Sequence, residues 1–281
     1  MVKFFDRLKA SADDFTPSQR TIAAYMQERA ESIAFCNLET LSSQIGVSTT
    51  TIIRFSRALG YTGFTDMQKA VKDEIQNKSA LPDRLNSMHA ATGNELLEES
   101  FAIDKLNIEK TFEAQSEQML RAAVNAIVGA QHVYLLGLRS SFSLAYYMAS
   151  RLGEIRRNVH CVQSTGMLYP EEIINANEND ICIAFLFPRY SKTAISILEW
   201  LKKQKVKIVL FTSINDTASH FYGDILLPCS LDSASYKNSL TAPICLSNYL
   251  VAETAKQNRA EAKEMLAKAE SILNPNYYMG L

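Results

Sequence analysis

A chain of 281 residues, 47% hydrophobic and 21% charged, is long enough for two globular domains of ordinary composition. Its net charge of −1 excludes indiscriminate attraction to nucleic acid. No apolar run approaches the roughly 18 residues needed to span a bilayer, and the charged opening MVKFFDRLKASADD lacks the apolar core of a signal peptide. A cytoplasmic protein with no membrane partner is therefore expected.

In chain order, Phe4, Leu8 and Phe15 begin a helical entry, and Thr16-Pro17-Ser18 opens a second helix with Pro17 in its first turn. Ile22, Tyr25 and Met26 supply that helix with an apolar stripe. The stretch Leu38–Phe64 then holds two short helical patterns, one on Leu41 and Ile45, the other on Ile52, Phe55 and Leu59. Between them, Gly46-Val47-Ser48 combines a residue that tolerates positive φ, an apolar anchor and an N-cap serine. Two helices joined by such a turn make a helix-turn-helix. The second would present Thr49, Thr50, Thr51, Arg54 and Arg57 outward, and hydroxyls and guanidiniums suit base edges and phosphate oxygens in a major groove. Any small helical hairpin has a polar outer face, but here turn, cap and donor-rich face coincide. From Leu41 to Lys72 four basic residues face the single acid Asp66, a weakly basic local surface that suits a specific binder acting as a dimer. Met67, Val71 and Ile75 mark one more amphipathic helix over Thr65–Gln76.

The pattern weakens over Asn77–Asn94, which reads as a linker between a domain over residues 1–76 and one over 95–281. Glu95 to Ile127 reads as a long helical stretch. At His132 the period changes. VYLLG (Val133–Gly137), NVHCV (Asn158–Val162), DICIAFLF (Asp180–Phe187), KIVLFT (Lys207–Thr212) and DILLP (Asp224–Pro228) are five strand-like runs alternating with helical patterns. Such runs, apolar on both faces, predict a five-stranded parallel sheet flanked by helices. A final alanine-rich helical region covers about Asn238 to Glu270.

In an open α/β sheet, ligands bind beyond the carboxyl ends of the strands, where helix N-termini offer unpaired N–H groups. Two strand–helix loops here suit an anion. In Gly137–Ser141 the candidates are Arg139, Ser140 and Ser141. In Pro188–Thr193 they are Arg189, Ser191, Lys192 and Thr193. The plainer reading makes these hydroxyls simple helix caps. The segment G-L-R-S-S-F lacks the later glycines of a dinucleotide fingerprint. No catalytic constellation assembles: His132, His160 and His220 are scattered, and Glu154, Glu171 and Glu172 read as surface charges. The five cysteines, Cys36, Cys161, Cys182, Cys229 and Cys245, are odd in number and widely spread. They form no C-x-x-C pair and read as reduced thiols, so neither a metal nor a cofactor is expected.

TPSQRTIAAYM followed by LSSQIGVSTTTIIRFSRALGYTGFTDMQ, with G-V-S, R-F, L-G and G-F in order, resembles the MurR/RpiR family of bacterial transcriptional regulators. The resemblance extends over nearly the whole chain, the second half being similar to that family's sugar isomerase (SIS) domain. It implies an all-α helix-turn-helix domain and an α/β SIS-like domain, a homodimer or homotetramer on double-stranded operator DNA, and a phosphosugar or other small anionic metabolite as effector. By the same resemblance the recognition helix falls on Ser48 to Ala58, giving Ser48, Thr49, Thr50, Thr51, Arg54 and Arg57 the DNA role. The ligand loops fall on Ser140-Ser141 and on Arg189 to Thr193. The second loop departs from the family's S-x-S-G-x-T, with Arg189 and Tyr190 where small residues are usual. The first has Leu138-Arg139 at comparable positions. The alternative reading is a phosphosugar isomerase with an appended helical domain, its acid/base chemistry supplied by His160 or Glu154.

Overall fold

In the computed structural model, residues 4–12, 15–28, 33, 36–78, 81–87, 93–163, 169–216 and 219–273 are described. The chain divides into two compact units, one built on residues up to 89 and the other on most of the remainder.

The first unit is all helical: α1 (Phe4–Ala10), α2 (Pro17–Glu28), α3 (Leu38–Ile45), α4 (Thr49–Ala58), α5 (Phe64–Lys78) and α6 (Leu81–Ser87). Helix α2 starts with a reciprocal cap. The Thr16 N–H donates to Gln19 Oε1 (2.9 Å) and the Gln19 N–H to Thr16 Oγ1 (3.4 Å), with Pro17 in the first position, where no N–H is needed. Phe4, Leu8, Ile22, Met26, Leu41, Ile52, Phe55 and Met67, each at most 1% exposed, form the core on which the five longer-range helices converge. Helix α6 occupies part of the stretch read as a linker. The side chain of Ile75 lies outside the described residues, as does His89.

The second unit contains a five-stranded, all-parallel sheet: β1 (Val133–Gly137), β2 (Val159–Val162), β3 (Ile181–Phe185), β4 (Lys207–Ser213) and β5 (Ile225–Cys229). The spatial order is β2-β1-β3-β4-β5. Side chains alternate between two layers, as strand geometry requires. Leu135, Ile183, Phe185, Val209, Phe211 and Leu227 face a core shared with α8 (Glu117–Gly129), α9 (Phe142–Gly153) and α12 (Thr241–Gln257). Tyr134, Leu136, Cys182, Ala184, Ile208 and Leu210 face the opposite core, shared with α10 (Tyr169–Ile173) and α11 (Lys192–Lys203). The helices α7 (Asn94–Glu113) and α13 (Arg259–Leu273) complete the unit.

Two helical stretches are broken where the sequence reads as continuous. Glu95–Ile127 is interrupted after α7, whose last carbonyls are met by the N–H groups of Ala114 and Gln115. The alanine-rich region is interrupted at Asn258, between α12 and α13. Strand boundaries also move. Asp180 and Asp224, expected inside strands, sit one residue before β3 and β5 and hold the amino-terminal edge of the sheet. Asp180 accepts the His132 and Asn177 N–H groups (3.0 and 2.9 Å), and Asp224 accepts the Ile208 N–H (2.7 Å). All five cysteines are free, Cys182 and Cys229 in the core. Cys245 lies exposed on α12.

Candidate functional site

Helices α3 and α4 meet across Gly46. The residue has φ 76° and ψ 29°, the left-handed conformation that ends α3, and its N–H donates to the Ser42 carbonyl (3.0 Å). A Cβ at Gly46 would meet nothing within 4 Å, so glycine is required here by conformation rather than by space. Ser48 then opens α4: its Oγ accepts the Thr51 N–H (3.2 Å) and lies 2.7 Å from Thr51 Oγ1. This capping pair occupies the hydroxyls of Ser48 and Thr51 with each other. Ile52, Phe55 and Ser56 are buried, which turns Thr50, Arg54 and Arg57, at i, i+4 and i+7, to the opposite, exposed face. Thr49 is half-buried at the first position. Arg57 also donates from Nε to the Thr62 carbonyl (3.4 Å). Of the six residues expected on this face, the exposed donors of one stripe are thus Thr50, Arg54 and Arg57.

The two candidate anion loops lie side by side. In the order 2-1-3-4-5, chain direction across the sheet reverses between β1 and β3, and the crevice at the carboxyl ends of those strands is where this fold takes ligands. Gly137 and Phe185 are register partners, so both strands end level. After β1, Leu138 stays extended and a single 3₁₀ turn, Arg139–Ser141, leads into α9. A Cβ at Gly137 would run into the Ser141 carbonyl, so a glycine is needed for this turn to fold back over the strand end. After β3, Ser191 caps α11, its Oγ accepting the Ala194 N–H (3.4 Å), while Lys192 and Thr193 are exposed in the first turn. The cap reading therefore holds for Ser191. It does not hold for Ser141, whose side chain makes no capping bond to α9, and Ser140 is exposed.

Arg139 and Arg189 share an unusual feature. Their φ angles are 58° and 75°, in the region that glycine enters freely and other L-residues enter at a cost of roughly 1–2 kcal/mol. The flanking Leu138 and Tyr190 pack against the core on the α11 side of the sheet. The bulk that departs from the family's small-residue loops is thus divided. Leu138 and Tyr190 pack against the core, while Arg139 and Arg189 themselves are exposed. Two hydroxyl-bearing residues that the sequence did not single out, Thr212 and Ser213, close the carboxyl end of β4 and are buried. Their place follows only from strand order.

The groups required by the isomerase alternative lie elsewhere. His160, near the start of β2, approaches His132 with Nδ1···Nε2 at 2.9 Å and stacks on Tyr134 at 5.3 Å between ring centroids. This trio belongs to the amino-terminal half of the sheet. Partial desolvation, then the neighbouring His132, hold the exposed His160 imidazole below its ordinary pKa, opposed by Asp180. Glu154 follows α9 and pairs with Arg151 at 3.0 Å. Glu172 is placed differently: its Oε2 accepts the Gln163 N–H (3.0 Å) just beyond β2. The sequence also gave no sign that Arg156 would be buried, donating to the carbonyls of Ile127 and Ala130 where α8 ends. Among the described residues no group of three or more His, Cys, Asp or Glu could hold a metal ion, and no helix is long and apolar enough to cross a membrane.

Residues 3–78 match the family described as "Helix-turn-helix domain, rpiR family", and residues 126–224 match the SIS domain. The chain therefore carries an rpiR-type helix-turn-helix domain followed by a SIS domain. An uncharacterised HTH-type transcriptional regulator of Clostridium perfringens is 25% identical over 272 residues, which is 92% of this chain and 95% of that protein. Vibrio vulnificus NanR, in complex with ManNAc-6P, has the same fold with a TM-score of 0.65 at 17% identity, over 96% of this chain and 98% of NanR. The sugar isomerase domain of an RpiR transcription factor from Sphaerobacter thermophilus aligns with a TM-score of 0.60 at 21% identity, over 63% of this chain and 98% of that domain. The RpiR architecture, a helix-turn-helix unit followed by a SIS domain, is that of a transcriptional regulator.

Proposed function

We propose that this RpiR regulator binds operator DNA as a homo-oligomer through the exposed face of α4, and that a phosphosugar or similar small anion bound between the β1 and β3 loops alters that binding. The effector half rests on Arg139 and Arg189, two exposed residues of positive φ in the loops that lead from β1 and β3 toward α9 and α11 at the switch point of the sheet. Ser140, Ser141, Ser191, Lys192 and Thr193 supply the remaining donors. NanR in complex with ManNAc-6P supports a phosphosugar as the first ligand class to try. The DNA half rests on Thr50, Arg54 and Arg57 sharing one exposed stripe, with Thr49 beside it at the helix start; Ser48 and Thr51 hold the start of α4 in shape.

The test uses the full chain and duplexes selected from a random pool. Arg54→Ala lowers affinity for the selected duplex by about tenfold or more, the loss expected of a base or phosphate contact. Unchanged affinity sinks the docking of α4. On the effector side, Ser140→Ala with Ser191→Ala leaves DNA binding intact and blunts the response to the metabolite. A normal response rules these loops out. The isomerase reading needs an acid/base group at the strand carboxyl ends, where Glu172 is the nearest carboxylate named above. Turnover of aldose or ketose phosphates by the purified chain would favour it over a regulator.

A further inference from the structure

Helix α7 buries polar residues and leaves apolar ones exposed. Its buried residues are Asn107 and Thr111, which with Asp104 form a polar ladder against the segment after β5. Asn107 donates from Nδ2 to the Asp232 carbonyl (2.7 Å) and accepts from Ser230 Oγ (2.8 Å), Thr111 Oγ1 accepts the Ser230 N–H (2.8 Å), and Asp104 accepts from Thr241 Oγ1 (2.9 Å). With its polar side fixed inward, the helix turns large apolar side chains to solvent. Leu97, Phe101, Ile108 and Phe112 are 57, 66, 37 and 80% exposed. At about 100° per residue these four fall within roughly 60° of one another, so they form one stripe. Exposed leucines scattered singly are ordinary, whereas a continuous stripe of two phenylalanines, a leucine and an isoleucine marks an interaction surface.

We infer that this stripe pairs antiparallel with the same stripe of a second copy of the chain. The reason for a second copy is symmetry. Spacings of four, seven and four residues read the same in both directions, so a two-fold axis near residues 104 and 105 lays the stripe onto itself. Leu97 then meets the partner's Phe112, and Phe101 meets the partner's Ile108. The exposed parts of these side chains amount to roughly 400–500 Å² per copy, hence roughly 800–1,000 Å² across the pair, the lower edge of the size of specific interfaces. This assignment rests on the homo-oligomer in the proposed function and names the face that makes it.

Sedimentation equilibrium of the full chain tests it. Wild type sediments at twice the 31.4 kDa of one chain, or a higher even multiple. Phe101→Glu with Phe112→Glu raises the dissociation constant at least about 100-fold and halves the mass, while the circular dichroism of the helices is kept. Both phenylalanines are exposed, so neither change opens a cavity. As an independent readout, Lys105→Cys in a Cys245→Ala background is joined into a covalent dimer by a short bis-maleimide, because the axis brings the two positions to the same side of the pair. A monomeric wild type, an unchanged mass in the double variant or failure of Lys105→Cys to cross-link overturns the proposal. So does dissociation by Leu266→Glu on α13 with α7 left intact. A double variant that keeps its mass and its operator affinity would overturn this interface alone and leave the regulator reading standing.

Discussion

Arg139 and Arg189 carry a conformational cost that glycine at either position would remove, which makes stability and ligand binding separable. Arg189→Gly is expected to raise unfolding stability by about 0.5–1 kcal/mol, relief of the positive φ outweighing the freedom glycine gains in the unfolded chain. The same change should reduce the thermal shift caused by a bound sugar phosphate. Urea unfolding and a melting series with and without ligand check both halves. A destabilised variant with a full ligand shift contradicts the strain argument and the binding role together. His160 offers a second test. Its folded-state pKa is depressed while the unfolded imidazole titrates at about 6.5, so below that pH the unfolded chain binds more protons than the folded one. Stability from this group is complete above about pH 6.5 and is lost as pH falls from there toward the folded-state value. His132, Tyr134 and Asp180 surround the ring, and His160→Asn should flatten the fall in melting temperature between pH 7 and pH 5.5. At this scale the sequence displayed the arginines as departures from small-residue loops, but not their backbone angles. It gave no hint of the His132–His160 pair, because 28 residues separate them and only the parallel β1–β2 pairing brings them together.

Helix ends were legible wherever a local side chain or a special φ makes them. Thr16, Pro17, Gly46 and Ser48 all act as their residue types predict, since capping involves groups within three or four residues. Gly46→Ala therefore costs about 1 kcal/mol, as the new Cβ meets open space and only the positive φ is penalised. Denaturant unfolding of the full chain measures it, and a neutral result would mean that α3 can end without the left-handed residue. The break after α7 was not legible. Ala114, Gln115 and Ser116 include neither glycine nor proline, and the chain turns there because Gln115 donates to the distant Pro228 carbonyl as well as to Thr111. The inverted polarity of α7 was equally hidden: Asn107 and Thr111 look like solvent residues until Ser230 and Asp232 are brought beside them.

For the whole molecule, alternating apolar runs and helical patterns were enough to anticipate a covered parallel sheet, but not the order of its strands. Order is what turns two similar loops into neighbours, because β1 and β3 are adjacent only once β2 has been placed outside them. The same order puts Thr212 and Ser213 at the end of the next strand and carries His160 toward the opposite end of the sheet. The anion proposed at the crevice and a donor-rich helix face on a separate unit are the two elements a ligand-responsive regulator needs, and linkage between them would be a free energy of about 1–3 kcal/mol. The most direct measurement is the affinity of the full chain for its selected operator duplex, at fixed ionic strength, with and without a series of sugar phosphates. The account predicts that at least one of them changes the dissociation constant by about 5- to 150-fold, and that Arg139→Ala with Arg189→Ala abolishes this change while leaving ligand-free DNA binding in place. A sequence-specific affinity unmoved by every sugar phosphate, including any that raises the melting temperature, would contradict it.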